Sequence, residues 1–396
     1  MDTYCKRSWD WYLVDIDRLY WKMCCLTTWN TMEPDTDWFN GEHMRTRRLD
    51  HLKNRRHADC NVCWLQEDRG QLSPRRLLPR PDPISQALDP YSPAMLEITM
   101  GNLCDLACRY CSSVHSSVWA QREQDSHNIK LGRSHTRTDD RYKKVFPQFQ
   151  QWLRDKIPDL NQVWFTGGEV TLMDSFYDLL DSVRFQNLNI GISTNLNTPD
   201  AYAERLSQAI QRLLQDGNNV MLRVSMDGVG DQNDWQRQGS DWSRIEKNWY
   251  RFGSMNVELG AAFTVTALTL EGMLDVAKFV LQSRYRLVRP PTLYQINTVL
   301  WPTALDPSEW ISAFRDQWIL LLELIEQNDL RMVEDNLARS LRDWIDAPPG
   351  LPSMDQVKRM TVWLDDAQHR WGGQNWRSVY PRIDAICQQV LLQHAA

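Results

Sequence analysis

Residues 95–111 read Met-Leu-Glu-Ile-Thr-Met-Gly-Asn-Leu-Cys-Asp-Leu-Ala-Cys-Arg-Tyr-Cys. The stretch opens as a short apolar strand and runs into a loop carrying Cys104, Cys108 and Cys111 in a CxxxCxxC spacing, with the aromatic Tyr110 just before the third. Three thiolates so close together on an irregular loop can converge on one metal centre, and three ligands leave one coordination position open. Thiolates select iron-sulfur clusters, zinc or copper(I). An open position is a place for chemistry, whereas a fully ligated zinc knuckle would be structural.

Downstream, the chain alternates strand and helix patterns. A long polar stretch from Ser112 to Asp140, anchored by Trp119, leads to a helical pattern that Ile157-Pro158 ends. Gln162 to Thr166 reads as a buried strand closed by Gly167-Gly168-Glu169, where two glycines allow a turn and close backbone approach to a ligand. A third strand, Leu188 to Thr194, ends in Asn195, and Thr198-Pro199 starts a helix with Leu206, Ile210, Leu213 and Leu214 on one face. Val220 to Met226 gives a fourth strand ending in Asp227-Gly228, Ala261 to Leu268 a fifth, and Leu293 to Leu300 a sixth. This alternation predicts an α/β fold, a parallel sheet with right-handed crossovers forming a partial (β/α)6 barrel over residues 81–300. Ligands of such barrels sit at the C-terminal ends of the strands, where these candidates fall.

The triad, the Gly-Gly-Glu turn and the strand order together resemble the radical SAM enzymes, whose cysteine triad follows the first strand of a partial barrel. The resemblance implies a 4Fe-4S cluster on Cys104, Cys108 and Cys111, with S-adenosylmethionine bound to the fourth iron. It places Gly167, Gly168 and Glu169 at the family's GGE motif, whose backbone contacts the amino group of the methionine moiety. Ser225 and Arg237 match positions that hold the ribose or carboxylate, with Asn195 and Asp227 as further candidates. Val265 is either an adenine contact or a core valine, and turn or cap roles account equally well for the four polar residues. No catalytic acid, base or hydrogen donor is assigned.

The first 80 residues hold five of the nine cysteines, Cys5, Cys24, Cys25, Cys60 and Cys63, in a C-x18-C-C-x34-C-x2-C pattern. The Cys60-Asn-Val-Cys63 spacing lets two sulfurs grip one metal, and a module of about 80 residues needs such a staple. The module resembles the SPASM or twitch extensions of radical SAM enzymes, which implies an auxiliary 4Fe-4S cluster on Cys5, Cys24, Cys60 and Cys63, with Cys25 as the rival of Cys24. Structural zinc is the other reading. In many members the extension follows the barrel, whereas here it precedes it. Between these cysteines, a helix capped by Asn40 would carry Met44, Leu49 and Leu52 on one side. Its arginines, Arg47 and Arg48 among them, form either a solvated face or a charge that offsets thiolates. Pro74 to Pro93 reads as a linker.

Residues 301–396 predict a helical extension opened by the capping box Asp306-Pro-Ser-Glu309 and broken at Pro348-Pro349-Gly350 and Gly372-Gly373. Cys387 stands alone there as a small apolar side chain. Over all 396 residues the net charge of -6 argues against a general nucleic-acid binder. No apolar run reaches the roughly 18 residues that suggest a membrane span, and no secretory signal opens the chain, so a cytoplasmic protein is expected. Enzymes that this chain resembles, with an auxiliary-cluster module, often modify ribosomally made peptides. The resemblance therefore implies a peptide substrate, a separate peptide-recognition protein, and an electron donor such as flavodoxin or ferredoxin. A small-molecule substrate is the alternative, and a zinc-binding interaction protein the remote one.

Overall fold

The computed structural model describes residues 3–68, 73–76, 93–127, 140–298, 302–328, 330 and 336–394. Most of the expected linker, residues 77–92, lies outside them, as does much of the polar stretch before Asp140. Among the described residues there are eleven strands: β1 (Trp11–Asp15), β2 (Tyr20–Lys22), β3 (Asn30–Thr31), β4 (Met95–Thr99), β5 (Ala107–Cys108), β6 (Gln162–Thr166), β7 (Asn189–Thr194), β8 (Asn219–Ser225), β9 (Arg237–Gln238), β10 (Glu258–Val265) and β11 (Thr292–Thr298). Strands β4, β6, β7, β8, β10 and β11 are the six expected from the sequence. Helices Asp174–Ser182, Asp200–Gln215, Trp242–Gly253 and Thr269–Ser283 alternate with them. Parallel strands joined through helices, followed by a helical extension, make this the partial-barrel topology of the α/β class.

The chain divides into two compact units. The first comprises residues 1–103, 124–192 and 208–220. Within it β1 pairs in parallel with β4, β4 with β6, and β6 with β7, while β1 to β3 form an antiparallel meander. Register stacks the apolar positions into rows. Tyr12, Leu96, Val163 and Ile190 share one row, Val14, Ile98, Phe165 and Ile192 the next, and all eight are almost fully buried. Each such aliphatic side chain contributes roughly 1.5–3 kcal/mol of burial free energy, so these rows form the centre of the unit's core.

The pairing of β1 with β4 is a finding beyond the sequence reading, in which the N-terminal residues form only a cysteine-stapled module. Tyr12, Leu13 and Val14 are an uninterrupted apolar run, as suits a strand covered on both faces, and they occupy an edge of β4 that would otherwise be open. The nearby helix Glu42–Leu52 also differs from expectation. Its N-cap is Gly41, and its buried positions are Met44, Arg47, Arg48 and His51. The two arginines turn inward because partners wait there: Arg48 donates to Ser8 O (2.8 Å), Asn40 Oδ1 (2.9 Å) and Phe39 O (3.2 Å), and Arg47 pairs with Asp59.

The second unit comprises residues 104–123, 193–207 and 221–396. Here β10 pairs in parallel with β8 and β11, with Val224, Ala261 and Leu293 in one buried row. A short antiparallel ribbon sets β5 against β9, Cys108 facing Arg237. The helical extension includes Arg315–Gln327, Asn336–Asp346, Met354–Trp371 and Pro381–Gln393. Trp310, Trp318 and Trp376 are fully buried in it, which gives several of the tryptophans a core role. Asp306-Pro-Ser-Glu309 does not open a helix as expected. Asp306 Oδ1 accepts the Ser308 N–H (2.9 Å) in a local turn, Glu309 Oε2 accepts the Ser353 N–H (2.9 Å), and the helix starts only at Arg315.

Candidate metal centre and cofactor site

An irregular loop has no ladder to satisfy its backbone, so side chains must hold it. Ser117 Oγ accepts the Cys104 N–H and donates to Cys104 O, both at 3.1 Å; Ser116 Oγ donates to Leu106 O (2.7 Å), and Trp119 Nε1 to Cys108 O (2.8 Å). Asp105, inside the triad, accepts the side-chain amides of Asn195 and Asn197, each at 2.8 Å. Asn195 thus clamps the cysteine loop from the end of β7. Asp105 and Asn197 were not singled out in the sequence, although an Asn-x-Asn pair at a strand end is a readable sign of a loop clamp.

Cys104, Cys108 and Cys111 form no disulfide among the described residues. Burial pushes Cys108 up to about 12, with Arg237 opposing and Cys111 adding to the rise; burial also raises Cys111. A metal binding here would displace the protons of Cys108 and Cys111, and the soft sulfur donors on one short loop fit an iron-sulfur cluster. Leu106 N–H approaches Cys104 Sγ (3.5 Å), and Arg237 Nη1 approaches Cys108 Sγ (3.8 Å). Such donors offset the negative charge of a ligated thiolate.

Arg237 is not a free cation. Its Nε lies 2.8 Å from Asp227 Oδ2 as an ion pair without hydrogen-bond alignment, and both side chains are buried. Burial alone would weaken its charge, but the Asp227 carboxylate outweighs this and raises its pKa. Asp227 Oδ1 accepts the Thr264 N–H (2.9 Å), and Oδ2 also accepts the Tyr110 hydroxyl. Burial holds that phenol well above its usual range. Tyr110, Asp227, Arg237 and Cys108 thus form one buried polar cluster, and a ligand carboxylate at Arg237 must compete with Asp227.

The glycine turn belongs to the first unit. Gly168 N–H donates to Gly101 O (2.9 Å) and Glu169 N–H to Leu103 O (2.7 Å), the residue before Cys104. Gly167 has φ +148°, and a Cβ on Gly168 would stand 2.4 Å from Leu103 O, so only glycine fits. Glu169 is buried and turns inward, its Oε1 accepting the hydroxyl (2.7 Å) and N–H (3.3 Å) of Thr171. Its side chain therefore serves the turn. Ser225 is half-buried at the end of β8, opposite Ala262, and Val265 is fully buried at the end of β10.

In the N-terminal region Cys5, Cys24, Cys60 and Cys63 are buried and Cys25 is exposed. Burial pushes Cys5 up to about 12, with Cys24 and Cys60 adding, and Cys60 up to about 11, with Cys63 and Cys24 adding. Cys24 is pushed down to about 5, chiefly by a hydrogen bond from the Cys25 thiol. Arg7 Nη1 approaches Cys24 Sγ (3.3 Å) and Cys25 Sγ (3.5 Å). Arg7 and the buried Arg47 stand beside Cys5 and Cys24, and Arg47 also beside Cys60, so one arginine of the helix, Arg47, suits charge offset rather than a solvated face. Among the described residues no three His, Cys, Asp or Glu side chains are gathered as a ready-made metal site. Both cysteine sets are ligand candidates by chemistry and placement. Among the described residues no helix is long and apolar enough to cross a membrane.

Comparisons with known proteins bear on the same stretch. Residues 98–280 match the radical SAM superfamily. The sporulation killing factor maturation protein SkfB of Bacillus subtilis is 23% identical over 205 residues, 51% of this chain and 43% of SkfB. The chain thus spans less than half the length of that relative. Among solved structures, Streptococcus suis SuiB bound to precursor peptide SuiA is 14% identical, with TM-score 0.43 over 74% of this chain and 66% of that one. The native anSMEcpe with bound AdoMet and Cp18Cys peptide is 19% identical, with TM-score 0.37 over 60% of this chain and 62% of that one. The cysteine loop and most of the parallel-strand core fall inside the matched stretch, so sequence and fold agree in the similarity of residues 98–280 to the radical SAM superfamily.

Proposed function

We propose that this protein reductively cleaves S-adenosylmethionine and uses the product to abstract a hydrogen atom from a ribosomally made peptide during its maturation. The carrying observation is the loop of Cys104, Cys108 and Cys111, three cysteines outside any disulfide among the described residues, on one pinned segment directly after the first barrel strand. When bound there, a 4Fe-4S cluster and S-adenosylmethionine supply the electron transfer and the 5'-deoxyadenosyl radical. The chain's own residues bind, orient and shield. The proposed contacts are the backbone of Gly167, Gly168 and Glu169 for the methionine amino group, and Ser225 with Arg237 for ribose or carboxylate. Asn195 acts through Asp105 on the loop, Asp227 balances Arg237, and Val265 forms an apolar wall on the adenine side.

The peptide substrate is supported by SkfB, which is named as a maturation protein. An auxiliary 4Fe-4S cluster on Cys5, Cys24, Cys60 and Cys63 belongs to the same proposal. Its support is the burial of these four, with Arg7 and Arg47 beside Cys5 and Cys24, Arg47 beside Cys60 and Arg75 beside Cys63, while Cys25 is exposed. A cytoplasmic location, a small electron-donor protein and a separate peptide-recognition partner complete it.

The test is iron, sulfide and zinc per chain on anaerobically purified protein, with product analysis after adding dithionite and S-adenosylmethionine. About eight irons and 5'-deoxyadenosine are expected, four per cluster. Alanine at Cys104, Cys108 or Cys111 abolishes cleavage; robust cleavage by an iron-reconstituted variant overturns the triad assignment. Zinc alone, with no deoxyadenosine, overturns the whole reading.

A further inference from the structure

The helical extension carries no cysteine cluster, and Arg109 stands between two triad cysteines without being a ligand. The two features meet. Arg109 is 3% exposed. Its backbone N–H donates to Gln236 O (2.9 Å). Its guanidinium fans out to three carbonyls: Nε to Trp235 O (2.8 Å), Nη1 to Ala367 O and Nη2 to Gly372 O, both at 3.3 Å. The same group lies 3.7 Å from the centroid of the Trp235 ring and 5.9 Å from that of Trp371.

The helix Met354–Trp371 ends at Trp371, whose carbonyl is one of the last four that lack partners within the helix, and Ala367 stands one turn before that end. Gly372 (φ +70°) and Gly373 (φ +110°) then reverse the chain in conformations that suit glycine. The reversal is fastened at further points. Trp371 packs edge-on against Trp119 with ring centroids 5.1 Å apart, and Trp119 is the residue that donates to Cys108 O. Gln238 Nε2 donates to Trp371 O, and Trp235 Nε1 to Gln374 O (3.1 Å). A planar fork with five donors can reach three carbonyls and stack on a ring at once; a lysine cannot.

We infer that Arg109 is a positioning residue that straps residues 367–374 of the helical extension onto the cysteine loop. The three thiols keep their arrangement only while that strap is closed. The strap itself stands on the geometry above; its bearing on a cluster rests on the proposed function of the triad.

The test begins with metal-free protein, by mass-mapped alkylation of each cysteine with iodoacetamide. Arg109→Gln is expected to speed alkylation of Cys108 and Cys111 by about tenfold or more, as local opening follows loss of charge-assisted hydrogen bonds. Cys387, buried in the same unit, serves as control and stays at its wild-type rate. Arg109→Lys does not restore protection, because charge without the fork leaves carbonyls unmet. Trp371→Ala, at the other end of the strap, gives the same pattern and covers the case in which Arg109→Gln fails to fold. Unchanged rates at Cys108 and Cys111, or an equal rise at Cys387, overturn the inference. After reconstitution, the Arg109→Gln protein releases iron to a chelator faster than wild type. A wild-type protein that takes up no iron at all defeats the cluster assignment and leaves the alkylation result standing.

Discussion

Replacing Asp227 by Asn tests the buried polar cluster beside Cys108. The substitution keeps the side chain's size but removes the counter-charge of Arg237, whose guanidinium is almost wholly enclosed. Breaking a buried pair from one side costs about 3–5 kcal/mol, because the remaining charge is left without compensation. The asparagine carbonyl can still accept the Thr264 N–H, and the Tyr110 hydroxyl can turn to accept from the new amide, so the lower end is expected. The loss should be about 3 kcal/mol in metal-free protein, read from urea midpoints and slopes by tryptophan fluorescence. In iron-loaded protein the loss should be smaller, since a ligated Cys108 thiolate near Arg237 supplies some of the missing negative charge. The double variant Asp227→Asn, Arg237→Met should recover most of the stability by leaving no buried charge. A single-variant loss below about 1 kcal/mol would refute the claim that Arg237 depends on Asp227.

Three other outcomes follow from the geometry. Gly168→Ala drives a Cβ against Leu103 O and Asn102 O, both backbone atoms just before Cys104, so binding of S-adenosylmethionine by titration calorimetry should fall at least about tenfold; wild-type affinity would remove the turn from the site. Replacing Cys60 and Cys63 together should lower iron content by about four per chain and leave some uncoupled cleavage; loss of zinc with iron unchanged would make the N-terminal site structural. Glu67 accepts from Arg75 Nε (2.9 Å) and Ser73 Oγ, which overcome the effect of burial and hold its pKa below the ordinary 4.5. Its stabilisation is therefore present above pH 4.5 and lost as pH falls through the lowered value. Glu67→Gln should melt below wild type at neutral pH and converge with it in acid, and a gap that does not close with pH would contradict the assignment.

Much of this was legible in the chain because it depends on local pattern. Each of the six barrel strands lies within a few residues of its expected place, since apolar runs bounded by glycine, asparagine or proline are local signals. The Gly167-Gly168 turn was legible for the same reason. What escaped depends on partners distant in sequence. Trp11–Asp15 reads as an apolar run, but nothing near it tells that Met95–Thr99 is its neighbour. Arg47 and Arg48 look like a solvated face until Asp59, Ser8 and Phe39 are seen to receive them. The box at Asp306 has the right residues, yet Glu309 is drawn off by the Ser353 amide. Arg109 gave no signal, because three of its acceptors are backbone carbonyls, which any residue supplies.

The β1/β4 ladder has a bearing on how the chain is made. Trp11 pairs with Met95, a separation of 95 − 11 = 84 residues, whereas the other neighbour of β1, strand β2, lies just after it. A ribosome delivers residues in order, so β1 and β2 emerge as a hairpin with one side unclaimed until β4 leaves the exit tunnel. An unclaimed apolar edge invites pairing with the wrong chain. Conditions that enrich chaperones should therefore raise the soluble yield of this protein, and the vulnerable interval closes once residue 99 is available.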